Sequence, residues 1–200
     1  LYNNDPRLGD ARLCGTTASL CGVETARHEH DEAKLDWALR LDIMLHAYMF
    51  TLSGIPVLYS GDEIAQENDY SYHDDPLKEA DSRYLHRGDM NWEAAELRHV
   101  PGAPEHRVFD SLRQLERLRG EHRVFDGGAD VWITRTGSDS VLGIGRYYRG
   151  EKLLAYFNFD YCERVVWTGE DAPLLNLWTG RTQEDGALPI PSGGFLWLTR

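Results

Sequence analysis

Asp62 and Glu63 stand side by side at the end of a short apolar run, "LSGIPVLYSGDEIAQEND" at 52–69. Carboxylates are the side chains that general acid–base chemistry uses. Two that act together must face one bond. Neighbours on an extended chain point to opposite sides. Asp62 and Glu63 could therefore flank one bond only across a sharp turn, and they are expected to shape a rim and hydrogen-bond a neighbouring loop. Other candidates are weaker. His28 and His30 form a His-x-His pair with no further ligand close in sequence, whereas a zinc site takes three or four protein ligands. The acids of "ENDYSYHDD" (67–75) lack the spacing of a calcium loop. No metal and no cofactor is expected. Cys14, Cys21 and Cys162 are an odd, sparse set. They read as buried thiols of a reducing compartment without a disulfide framework, and no base stands out as activating one.

The composition narrows the partner. The chain of 200 residues carries 33 acidic against 21 basic side chains, a net charge of -12. Phosphate backbones and anionic membrane surfaces need a basic footprint, so neither a nucleic acid nor a membrane is an expected partner. A neutral small molecule or a sugar fits better. No apolar stretch approaches the roughly 20 residues of a membrane span, and a cytoplasmic location is expected. The sequence starts at Leu1 without a basic region followed by an apolar one, which suggests a fragment of a longer protein.

The elements that would position these residues follow from periodicity. Residues 1–12 read as irregular. A short helix is expected over 15–23 with Thr16 or Thr17 as its cap, followed by a polar connection, "ARHEHDEA". Leu35, Ala38, Leu41, Leu45, Tyr48 and Leu52 recur at three or four residues. They predict a helix over 32–52, with Asp31 as N-cap and Gly54 as C-cap. "IPVLYS" reads as a buried strand, and a strand directly after a long helix suggests an α/β unit with a parallel sheet. Residues 64–105 read as a long polar loop, a length that is usually functional. Val108, Leu112, Leu115 and Leu118 predict a second helix over 105–119. From "FDGGAD" onward, "DVWITR", "SVLGIGRYYR", "EKLLAYFNF", "ERVVW" and "GFLWLTR" are short β-rich runs, with a hairpin at "YYRGEK". These predict an antiparallel β-sandwich.

Four motifs in this order, "GDARLCGTTASL" (9–20), "GIPVLYSGDE" (54–63), "DSRYLHR" (81–87) and "FDGG" (125–128), resemble the C-terminal part of the α-amylase superfamily, glycoside hydrolase family 13. Within it they are most similar to the amylosucrase-like group. The resemblance covers nearly the whole chain. It implies the C-terminal portion of a catalytic (β/α)8 TIM barrel at 1–124, comprising the eighth strand, Ile55–Tyr59, and its flanking helices. An antiparallel β-sandwich domain at 125–200 would follow, giving an α/β plus all-β chain. Active sites of such barrels lie at the C-terminal ends of the strands, so the loop at 60–105 is expected to emerge at the site.

The resemblance also implies a function: a retaining α-glucosyl enzyme acting on sucrose or an α-glucan, with its catalytic carboxylates upstream of Leu1 and none in this chain. Arg83 would be the chief substrate-binding residue, paired with an upstream Asp at the floor of a glucose pocket. A planar guanidinium suits such a bidentate partner. Asp81 would orient Arg83, while Arg87 and Arg12 would donate to acceptor hydroxyls. "HDD" at 73–75 looks like the family's His-Asp motif but follows the wrong strand, so His73 is expected to be a decoy. Tyr70, Tyr72 and Trp92 could stack on sugar rings, with core packing the favoured expectation for Trp92. An α-amylase, a sucrose hydrolase, or a non-catalytic structural or sugar-binding module remain as alternatives. The missing N-terminal barrel portion, or self-association, would complete the fold.

Overall fold

The computed structural model describes residues 2–5, 7, 10–170, 173–184 and 186–200, with backbone alone at 2–5 and 10–12. The chain forms two compact units, residues 1–39 with 58–109, and residues 40–57 with 110–200.

The first unit holds a small hairpin of β1 (Tyr2–Asp5) and β2 (Asp10–Arg12), antiparallel with an irregular register. Two short helices follow, α1 (Thr17–Cys21) and α2 (Val23–His28), divided at Gly22. Thr16 caps α1, its Oγ1 accepting from the Ser19 amide at 3.2 Å. The expected polar connection at 26–33 is therefore helical through His28. Val23 and Ala26 are buried there and anchor an extra turn. Next comes α3 (Glu32–Thr51), whose first eight residues belong to this unit. Asp31 Oδ1 accepts from the amides of Ala33 and Lys34, at 3.1 and 3.0 Å, as an N-cap must. Beyond residue 58 the unit is mostly irregular loop, broken by 3-10 turns at 62–64, 71–74, 82–86 and 97–99 and one short helix, α4 (Trp92–Glu96). It closes with the start of α5 (Pro104–Glu121).

The second unit is built on a six-stranded antiparallel sheet. Its members are β3 (Asp130–Thr134), β4 (Val141–Tyr148), β5 (Glu151–Asn158), β7 (Leu174–Asn176), β8 (Arg181–Gln183) and β10 (Phe195–Thr199). Their order is β3-β4-β5-β10-β7-β8. A two-stranded sheet pairs β6 (Arg164–Trp167) with β9 (Ala187–Ile190). The register places Leu154 against Leu198 and Tyr156 against Leu196, so these four share one face. That face packs on Val166, Leu188 and Ile190 of the small sheet, and so makes a sandwich. The alternate residues Phe157 and Trp197 face the helices of this unit. Phe157 meets Tyr48 of α3 edge-on at 5.6 Å, and Trp197 Nε1 donates to Thr51 Oγ1 at 2.9 Å. Strands covered on both faces need apolar residues at every position, which explains "LLAYF" and "FLWL". On α5, Leu112, Leu115 and Leu118 are buried as the stripe predicts. The hairpin joining β4 to β5 turns on Arg149 and Gly150, both with positive φ, 46° and 93°. The short strands β7, β8 and β9 carry too few residues to announce themselves.

One expectation is overturned. Ile55–Tyr59 is neither a strand nor buried: no described strand pairs with it, and Ile55, Val57 and Tyr59 are 90%, 75% and 49% exposed. Apolar, β-branched composition supplies a propensity, but a strand exists only where a neighbouring backbone takes its hydrogen bonds. Every strand pairing among the described residues is antiparallel, so no parallel barrel sheet is present there. The C-terminal end of α3 is closed by a different group. The Arg119 guanidinium donates to the carbonyls of Phe50, Leu52 and Gly54.

Candidate functional site

The acids that open the polar loop lie in a tight turn. Gly61 has φ 101°, a conformation open to glycine and costly for other residues, and a 3-10 turn follows at 62–64. The sharp bend that would let two neighbouring carboxylates converge is therefore present. Each acid accepts a bond within its own turn: Asp62 Oδ2 from the Tyr59 amide and Glu63 Oε2 from the Gly61 amide, both at 2.9 Å. The bonds that reach the 81–91 segment come from residues just downstream. The Asp69 amide donates to the Leu85 carbonyl at 2.8 Å. Gln66 Nε2 donates to the Asp89 carbonyl at 3.1 Å and its Oε1 accepts from the Asn91 amide at 3.2 Å. Gly88 is required at this crossing, because a Cβ there would stand 2.5 Å from Asp69 Oδ2.

The 81–87 segment is another 3-10 turn, capped by Asp81. Asp81 Oδ1 accepts from the Arg83 amide at 3.0 Å. The same carboxylate grips the guanidinium. Arg83 Nε donates to Oδ1 at 2.8 Å and Nη2 to Oδ2 at 2.6 Å. This two-point fork holds the Asp81 carboxyl well below its ordinary range, down to about 2, chiefly through the Arg83 side-chain hydrogen bonds. A carboxyl so acidic stays an anion and has no proton to give at neutral pH. Asp81 and Arg83 thus form a two-point ion pair within the turn. Arg87 lies at the end of the turn and is exposed. Arg12 ends β2, and its side chain lies outside what the structure describes.

Three contacts join this turn and the loop before it to residues 14–16. Cys14 Sγ meets Ser82 Oγ at 3.5 Å, the Gly15 amide donates to His86 Nδ1 at 3.3 Å, and the Thr16 amide donates to Asn68 Oδ1 at 2.9 Å. Asn68 makes two more bonds: its own amide donates to Ser19 Oγ at 3.0 Å and its Nδ2 to Glu24 at 3.1 Å. These ties were not read from the sequence, where the partners lie 44 to 71 residues apart.

The remaining candidates separate. His73 and Asp74 end an exposed 3-10 turn, His73 stacking on Tyr72 at 4.0 Å. Asp75 accepts from the Leu77 amide, which pulls its carboxyl below the usual range. Tyr72 is buried, Tyr70 half exposed and Trp92 is 72% exposed. The expected core role of Trp92 is thus corrected: it begins the short α4, and no core reaches it. Of the cysteines, Cys21 is buried, Cys14 intermediate and Cys162 exposed, because Cys162 sits in the bend before β6 rather than in a strand. Among the described residues, no group of three or more His, Cys, Asp or Glu is arranged to hold a metal ion.

A polar cavity of about 330 Å³ also lies in the first unit. Arg27 bridges two carboxylates on its wall, donating to Glu67 at 2.8 Å and Glu105 at 2.6 Å. Glu105 is almost wholly buried, 4% exposed at its side chain, and takes the second position of α5, where a helix N-terminus favours an anion. The bridge clamps α2, the loop and α5 together.

No protein-family model matches the chain. Among solved structures, the chain is similar to a maltogenic amylase from S. marinus, at 19% identity over 80% of this chain and 19% of that one, with a TM-score of 0.55. An α-amylase from Geobacillus thermoleovorans, complexed with acarbose, is 19% identical over 81% of this chain and 33% of its own, with a TM-score of 0.58. A trehalulose synthase is 14% identical over 80% and 38%, with a TM-score of 0.60. What the chain shares with these carbohydrate-active enzymes is the fold. The chain spans about a fifth to two fifths of their length. No helix among the described residues is long and apolar enough to cross a membrane.

Proposed function

We propose that the chain is the C-terminal part of an amylosucrase-like retaining α-glucosyl enzyme of glycoside hydrolase family 13, acting on sucrose and α-glucans. Barrel residues would occupy 1–124 and the sandwich 125–200. The observation that carries the reading is the Asp81–Arg83 fork within "DSRYLHR", on a chain that shares its fold with α-amylases. In this reading Arg83 meets the glucosyl unit, Arg87 and Arg12 meet the acceptor, and Asp62 and Glu63 hold the rim turn. The bond-breaking carboxylates come from elsewhere in the longer protein. The exposed Ile55 and Val57 are then covered by that upstream portion or by a second copy.

The test is to incubate the full-length gene product with sucrose and follow fructose and glucan. Absence of both rejects the reading. The 200-residue chain alone is expected to turn over nothing, and turnover by it, free of contaminating enzyme, would overturn the assignment of the catalytic acids. A hydrolase reading has its own support, because several of the similar structures are of proteins named α-amylases. Reducing-sugar release from starch, without glucan growth from sucrose, would select it.

A further inference from the structure

We infer that His86 is a positioning residue, which as a neutral imidazole accepting at Nδ1 ties residues 14–16 to the turn that carries Arg83 and Arg87. A backbone N–H can only donate, so the 3.3 Å contact from the Gly15 amide requires a lone pair on His86 Nδ1. The ring's proton then sits on Nε2. The imidazolium, which donates at both nitrogens, is incompatible with the contact.

The surroundings favour the neutral form. His86 is partly buried, and the edge of its ring meets the Tyr59 ring at 5.9 Å. Burial and then the Arg87 charge push its pKa below the usual histidine value, while the Asp81 carboxylate pushes the other way. Asp81, however, is committed to the Arg83 guanidinium. On the 14–16 side the ionisable group is Cys14, which is turned to Ser82. Across the His86 ring lies the Tyr59 ring. The charges around His86 thus leave it a neutral acceptor at physiological pH.

The role follows from what is joined. Gly15 stands three residues after Arg12, and His86 stands beside Arg87. The latch therefore couples the two segments that bear the acceptor arginines of the proposed glucosyl enzyme. That consequence rests on the proposed function, whereas the latch itself rests only on the geometry.

The test uses the 200-residue chain and its tautomer first. The ¹⁵N spectrum of His86 at pH 7.5 should show an unprotonated Nδ1 and a protonated Nε2. A protonated Nδ1 overturns the inference. Hydrogen exchange at the Gly15 amide should speed up about tenfold in His86→Phe, the scale of one lost hydrogen bond, with the far-UV spectrum unchanged. His86→Asn, whose Oδ1 can take the place of Nδ1, should restore most of the protection. Equal protection in the Phe variant, or no rescue by Asn, sinks the latch without touching the enzyme assignment. In the full-length enzyme, His86→Phe should raise the acceptor KM more than the sucrose KM, and His86→Asn should restore most of it. Absence of all sucrose turnover in the unmutated enzyme rejects the proposed function and leaves the latch standing on its exchange data.

Discussion

The strand β5 and the loop at 66–71 are held by opposite means. In β5, Leu153, Leu154, Ala155, Tyr156 and Phe157 are all buried, and each of them pairs with β4 on one side and β10 on the other. In the loop, Gln66, Asn68 and Asp69 are half exposed and reach the 81–91 segment or α1 through single directed hydrogen bonds. Burial of carbon is non-directional and grows with area. A hydrogen bond contributes modestly but specifies an angle and a partner. The second unit is therefore stable wherever its apolar pattern is kept. The first unit has its side chains placed by individual bonds, which is how loops come to carry sites on a scaffold.

Four substitutions or conditions probe this contrast. Trp197→Ala should have the largest effect. Trp197 is fully buried against Phe125 and Phe195, and truncation should lower the unfolding free energy by about 3–5 kcal/mol in urea titration. A loss below about 1 kcal/mol would break the account of the sandwich. Asn68→Ala removes bonds from the Thr16 amide and to Glu24. It should cost roughly 1–3 kcal/mol, seen as faster exchange at Thr16 with the amides of β5 unchanged. Faster exchange in β5 as well would show that the two regions do not respond separately. Arg149→Asn should raise the unfolding free energy by less than about 1 kcal/mol, because asparagine tolerates the left-handed backbone found at φ 46° better than arginine does.

The smallest and most local effect is set by pH. Asp81 has a lower pKa folded than unfolded, so its fork stabilises the turn fully above about pH 4, the ordinary carboxylate value. That stabilisation fades as pH falls toward about 2. Arg83 Nε–H exchange should quicken across this window, and Asp81→Asn should remove the pH dependence. His86 shifts in the same stability sense: its depressed pKa makes folding lose support as pH drops below about 6.5. A pH response in the 81–87 turn that survives both Asp81→Asn and His86→Asn would need another titrating group.

Much of the fold was legible because its signals are local. The stripe of α5, the Asp31 cap, the "YYRGEK" hairpin and the all-apolar β5 and β10 are properties of consecutive residues. The site was legible only in part. Asp81 and Arg83 lie two residues apart in one turn, so their pairing needs no tertiary information. Gln66, Asn68, Arg27 and His86 gave no signal, because an amide, a guanidinium or an imidazole bonds wherever the fold brings a partner, here up to 78 residues away.

The sequence by itself determined the long helices α3 and α5, the antiparallel sandwich and the polar, acidic character of the chain. Each rests on periodicity or summed charge, which no fold can alter. Only the tertiary structure decided that Ile55–Tyr59 has no ladder partner among the described residues, that Asp62 and Glu63 turn back on their own backbone, and that Gly15 meets His86. Those outcomes depend on which backbone groups arrive beside them. Hydrogen bonds act over about 3 Å, so their partners are chosen after the chain has folded.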